Sequence, residues 1–151
     1  MVIYFGADHR GFNLKEALKN FAREQGYEVA DLGNSRYDEH DDYPDFAALV
    51  AKKVSLDPER SRGILVCGSG VGMDVAANKF PKVRSAVAIS EDQIYVARHD
   101  DNVNVLSLAA DFINESEAKK TVQVFLETPF GSDERYLRRL EKIMQIEEQS
   151  S

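Results

Sequence analysis

Residues 63–72 read Gly63-Ile64-Leu65-Val66-Cys67-Gly68-Ser69-Gly70-Val71-Gly72. An apolar run without polar alternation passes directly into three glycines at alternate positions. A strand covered by helices on both faces has this appearance, because neither of its sides meets water. The glycines then turn the chain into a helix expected over 70–79. The same unit recurs on either side of this block. Strands are expected at 2–7, 27–32, 63–67, 85–89 and 103–109. Leu14, Ala17, Leu18, Phe21 and Ala22 mark a one-sided helix that Gly26 stops, and Pro44 opens another with Phe46, Leu49, Val50 and Val54 on one side. Further helices are expected at 91–99, around Ala118, Val122, Phe125 and Leu126, and at 133–147, the last turning Leu137, Leu140, Ile143 and Met144 inward. Five strands separated by helices predict an α/β domain over 1–151, built on a parallel sheet with right-handed crossovers.

The composition narrows the function classes. Of the 151 residues 43% are hydrophobic and 30% charged, enough apolar material for one core without disulfide or metal staples. Lys and Arg number 19 against 26 Asp and Glu, a net charge of −7 that disfavours nucleic acid as a partner. The single cysteine points to a reducing compartment. No apolar run approaches the ~20 residues needed to span a bilayer. The opening MVIYFGADHRG lacks the basic start of a secretory leader, so a cytoplasmic location is expected.

In an open parallel sheet, ligands gather outside the carboxyl ends of the strands. That rule selects Asp8-His9-Arg10, the Cys67–Gly72 loop and the segment around 99–103. The backbone N–H groups of Gly68, Gly70, Val71 and Gly72 can converge on a phosphate or a developing oxyanion. The spacing is neither the G-x-G-x-x-G of dinucleotide folds nor a Walker loop, and it also serves a plain strand-to-helix turn. Cys67 fits a reactive thiol or a buried structural one. Asp8, His9 and Arg10 fit an anionic sugar, proton transfer or a surface turn. Arg135 and Arg139, four apart on one helix face, can grip a phosphate or balance an acidic protein. His9, His40 and His99 have no paired metal spacing, and the acidic loops His40-Asp41-Asp42 and His99-Asp100-Asp101 could bind a cation, though most such loops are simply solvated. No metal and no cofactor are expected.

With these residues in view, the chain resembles the ribose-5-phosphate isomerase B family, which includes galactose-6-phosphate and allose-6-phosphate isomerases. The carriers are GADHRGFNLK near the start, DDYPDFA at 41–47, GILVCGSGVGMDVAANKFPKVRSA at 63–86, NVLSLA at 104–109 and TPFGSDERYLRRLEKI at 128–143. The resemblance implies a Rossmann-like three-layer α/β/α sandwich and a homodimer or homotetramer whose active sites are shared between subunits. It implies metal-independent aldose–ketose isomerisation of a sugar phosphate, foremost ribose 5-phosphate to ribulose 5-phosphate, through a cis-enediolate. Cys67 would take the C2 proton, and Ser69 would shuttle a proton between the sugar oxygens. The amides of Gly68, Gly70, Val71 and Gly72 would hold the enediolate. Asp8 and Tyr43 would contact the sugar, while His9, Arg135 and Arg139 would hold the phosphate. Asp100 and Asp101 stand where the family has a histidine–asparagine pair from the partner subunit. Ring opening therefore falls to Asp100 or to His99, one residue early, and Asp101 would bind substrate. Asp111 stands where the family has a phosphate arginine, and would repel the phosphate unless a Lys or Arg intervenes. Tyr136 replaces a family histidine. These replacements leave an alternative open: a relative with another ligand, such as a hexose 6-phosphate or a less anionic sugar, or one that binds sugar and catalyses weakly.

Overall fold

The computed structural model describes residues 1–151. In chain order its elements are β1 (Val2–Ala7), α1 (Phe12–Glu24), β2 (Glu28–Asp31), α2 (Tyr43–Leu56), β3 (Ser61–Cys67), α3 (Val71–Ala77), β4 (Ser85–Val87), α4 (Glu91–Asp101), β5 (Val105–Ala109), α5 (Glu115–Glu127) and α6 (Glu134–Gln149). The five strands form one sheet in the order β2-β1-β3-β5-β4, with every neighbouring pair parallel. The five-stranded α/β/α sandwich expected from the sequence is the fold observed.

Side chains alternate across the sheet and build two cores. Ile3, Phe5, Ile64, Val66, Leu106 and Leu108 pack with Leu18 and Ala22 of α1, Ile94 of α4 and Ala118, Val122 and Phe125 of α5. Leu65, Cys67 and Val105 pack on the other face with Ala47, Val50, Ala51 and Val54 of α2 and Met73 and Ala77 of α3. Each fully buried Leu or Phe contributes about 1.5–3 kcal/mol by leaving water. From β1 the chain runs to β2 on one side and, after α2, to β3 on the other. The connections therefore diverge between β1 and β3, which opens a crevice at their carboxyl ends.

Several expectations are corrected. The strand placed at 85–89 ends at Val87. Ser90 caps α4 by accepting from the Gln93 N–H at 3.1 Å, while the Ile89 N–H donates to Gln93 Oε1 at 2.9 Å, so Ile89 belongs to the cap and not to the ladder. The strand placed at 103–109 begins at Val105. Leu49 is half exposed, and Ala47 and Ala51 join Val50 and Val54 on the buried side of α2. The largest correction concerns α6. Leu137, Ile143 and Met144 are about half exposed and Leu140 is only partly covered, while Tyr136 is its one buried residue. Helical spacing reveals that such residues share a side. It does not supply a layer to cover them, and both faces of the sheet are already occupied.

Candidate active site

The register sets the ends of β1, β3 and β5 side by side, pairing Ala7 with Val66 and Cys67 with Ala109. The segment after β5 is stitched to the glycine loop, since the Ala110 N–H donates to the Cys67 carbonyl at 2.9 Å and the Asp111 N–H to that of Gly68 at 3.0 Å. Gly70 has φ +75°, and a Cβ there would press on the backbone of Leu108 and Ala109, so this turn requires glycine. Cys67 is 4% exposed. Its sulfur has the apolar α2–α3 core behind it, and the Gly70 N–H donates to Sγ at 3.1 Å. Ser69 is exposed, and its Oγ accepts from the Val71 N–H at 3.3 Å. The ring of Tyr43 lies against Gly72, where a Cβ would come within 2.5 Å of its Cζ.

After β1, buried Asp8 accepts from the backbone N–H groups of Arg10 at 3.0 Å and Gly11 at 3.1 Å. Burial raises its carboxyl above the ordinary value, against those two bonds. His9 is bound to Asp41, which accepts from its backbone N–H at 3.0 Å and pairs with Nδ1 at 2.7 Å. The hydrogen bond that Asp41 accepts raises the His9 imidazole above its ordinary value. Burial opposes ionisation of Asp41, but the bonds from the His9 ring and backbone and from Asn34 outweigh it and hold that carboxyl low. Arg10 crosses Gly68 and forms an ion pair with Asp111. Asp8, His9 and Asp41 are the one group whose ligand atoms, within 4.8 Å of one another, could hold a metal ion, yet the His9 and Asp41 atoms already serve each other.

A second cluster forms where α4 ends and α6 begins. His99 stacks on Tyr95 with ring centroids 5.7 Å apart and meets Tyr136 edge-on at 5.6 Å. Its Nδ1 pairs with Asp100 at 2.7 Å, a bond that lowers the Asp100 carboxyl. Arg135 lies over the Tyr136 ring at 4.9 Å and donates to its hydroxyl at 3.1 Å. Arg139 is exposed one turn further on. Asp101 faces away, into a groove of about 740 Å³ shared with Arg84, Ile143 and Glu147.

Thus Cys67, Ser69, the glycine amides, Asp8, His9 and Tyr43 come together at one sheet edge. His99, Asp100 and Arg135 come together in the second cluster, and Asp101 joins neither. Sequence reasoning missed Asp41 as the partner of His9 and Arg10 as the partner of Asp111. These pairs are 32 and 101 residues apart, and no local pattern announces either.

The family model described as Ribose/Galactose Isomerase matches residues 3–143. A ribose-5-phosphate isomerase B of Mycobacterium tuberculosis is 36% identical, covering 97% of this chain and 90% of that protein. The crystal structure of ribose-5-phosphate isomerase B from Mycoplasma genitalium with bound ribulose 5-phosphate superposes with a TM-score of 0.94 at 41% identity, covering 97% of this chain and 96% of that one. That of Clostridium thermocellum gives 0.95 at 36% identity over the whole of both chains. The chain belongs to the ribose/galactose isomerase family and is an isomerase of sugar phosphates.

Proposed function

We propose that the protein interconverts ribose 5-phosphate and ribulose 5-phosphate through a cis-enediolate, with Cys67 as the base. The observation that carries this reading is the sulfur at the exit of β3, beside converging loop amides and bonded by one of them. A base next to fixed N–H donors is what removal of a proton alpha to a carbonyl requires, because charge then develops on an oxygen that the amides can hold. Ser69 would pass the proton between O1 and O2, with Asp8 and Tyr43 against the sugar and His9 against its phosphate. The bound ribulose 5-phosphate of the Mycoplasma genitalium relative favours the pentose substrate.

In the second cluster His99, oriented by Asp100 through Nδ1, would open the sugar ring, with Arg135 and Arg139 gripping the phosphate. A second copy of the chain would complete the site, and the half-exposed apolar side of α6 supports such pairing. The alternative of weakened or redirected activity rests on the acidic replacements. The geometry argues against it at two of the three positions, since Asp100 serves His99 and Asp111 is neutralised by Arg10. Exchange of the C2 proton of ribose 5-phosphate in deuterium oxide, followed by NMR beside hexose 6-phosphates, tests the reading. Deuterium should enter the pentose fastest. Its absence from every sugar phosphate would overturn the enediolate, and faster entry into a hexose would transfer the role to that sugar.

His9 also sets an expected pH dependence. Its raised pKa carries the imidazolium, and so its attraction for phosphate, to higher pH than an ordinary histidine, and this is lost as pH rises through the folded value. Asp41→Asn removes the partner that raises it. The alkaline loss of phosphate inhibition should then move toward the ordinary histidine pKa of about 6.5. Inhibition by inorganic phosphate measured across pH checks this, and an unmoved alkaline limb would show that Asp41 does not govern His9.

A further inference from the structure

We propose that Arg10 is a phosphate-gripping residue of this enzyme and that Asp111 is the residue that positions it. The inference rests on the sugar-phosphate reading above and adds a contact that neither the glycine loop nor α6 supplies. Arg10 follows His9 directly, yet its side chain runs away from the Asp41 pair and across the glycine loop. A Cβ on Gly68 would lie 2.5 Å from the guanidinium carbon and 2.6 Å from Nε, so the guanidinium rests on the loop itself. Asp111 anchors its far end through Nη2. Asp111 is held in turn, because its own N–H is bonded to the Gly68 carbonyl at 3.0 Å. Carboxylate, guanidinium and loop therefore form one closed unit.

A guanidinium has five N–H donors in a planar fork, and the single bond to Asp111 leaves the others free. The Arg10 side chain is 57% exposed, so those donors are open to a ligand from solvent. Next to it, His9 has Nδ1 occupied by Asp41 and Nε2 without a protein partner. A cationic fork and an imidazole with Nε2 open thus flank the amide cradle from the same turn, which suits a dianionic ester better than a neutral sugar. Lone, Asp111 would oppose such a ligand. Paired, it orients the group that attracts it. Within this chain Arg135 and Arg139 belong to the other cluster, so Arg10 is the arginine that the chain itself brings to the loop.

The test compares wild type, Arg10→Ala, Arg10→Lys and Asp111→Asn, each with its thermal melting recorded. The readouts are kcat and KM for ribose 5-phosphate and the inhibition constant of inorganic phosphate. Loss of one charged hydrogen-bonding group predicts that Arg10→Ala raises both KM and the phosphate constant about 10–30-fold, with kcat within about threefold. Arg10→Lys should recover part of the loss, and Asp111→Asn should fall between wild type and alanine. An alanine variant with both constants within about twofold of wild type would overturn the proposal. So would one whose kcat alone falls, because that marks a role in the reaction or the fold and not in grip. A wild type that turns over no sugar phosphate would instead overturn the isomerase reading on which the proposal stands.

Discussion

Replacing Cys67 with alanine is expected to lower isomerase turnover about a thousandfold while the protein stays folded. A positioned general base contributes about 10²–10⁴ in rate, and in the proposed mechanism the thiol at the exit of β3, bonded by the Gly70 amide, fills that role. The residual rate would come from the cradle and the phosphate contacts, which the substitution leaves in place. The structural cost is small. Cys67 is the last residue of its strand, and exchanging a sulfur for a hydrogen at one edge of the α2–α3 core costs about 1 kcal/mol. Turnover of ribose 5-phosphate, measured with the urea midpoint of the same sample, separates the two effects. A fully active alanine variant would remove Cys67 from the chemistry, and Cys67→Ser tests whether an oxygen at that place restores any of the lost rate.

The largest loss of stability is expected from Asp31→Ala. Lys15 is completely buried in α1, and its ammonium donates to both carboxylate oxygens of Asp31, at 2.9 and 3.0 Å, and to the carbonyl of Asn34. Lys19 donates to the same carboxylate and also reaches Glu16 at 2.8 Å. Without Asp31 the Lys15 ammonium keeps only the Asn34 carbonyl and a longer contact to Glu16 at 3.4 Å. Removing one member of a buried ion pair costs about 3–5 kcal/mol, because the remaining charge stays desolvated. The lower end is expected, since the Asp31 side chain is 20% exposed and Lys19 can turn to water. Urea unfolding should show a loss of about 3 kcal/mol, and a loss below about 1 kcal/mol would mean that Lys15 finds water or another partner. The pH dependence has a definite sign. Burial opposes ionisation of Asp31, but bonds from Lys19, Lys15 and the Gly33 N–H hold its pKa below the ordinary value. Its contribution is thus present above the unfolded carboxyl value of about 3.9 and is lost as pH falls through the lower folded value. In Asp31→Ala that part of the acid-induced loss should be absent.

Much of the architecture was legible because a parallel sheet writes its central strands as unbroken apolar runs. Ile64-Leu65-Val66 is such a run and Val105 to Ala109 is interrupted only by Ser107, while glycines and Pro44 punctuate the helices between the strands. The main cradle of the site was legible for a related reason, since Gly68, Gly70 and Gly72 mark backbone that neighbours approach closely. What stayed hidden involves side chains whose partners are set by strand order. Asp41 read as a member of an acidic loop and Asp111 as a lost phosphate arginine, and only the placement of β1 between β2 and β3, with β5 beyond, brings them to His9 and Arg10. His99 and Asp100 read as rivals for one task. The end of α4 makes them partners, with the ring stacked on Tyr95 and the carboxylate on Nδ1. The outward side of α6 was misread because periodicity reports amphipathy without naming what lies opposite.

The two backbone bonds that fasten Cys67 and Gly68 to the segment after β5 extend the sheet's ladder one step beyond its last strand pair. In the proposed mechanism, the amide dipoles that would meet the sugar oxygen are therefore aligned when the chain collapses into its native form, and no loop has to be immobilised afresh for each molecule that arrives. Their orientation belongs to the thermodynamics of folding, which leaves the binding energy of the incoming sugar free to act on its reacting carbons.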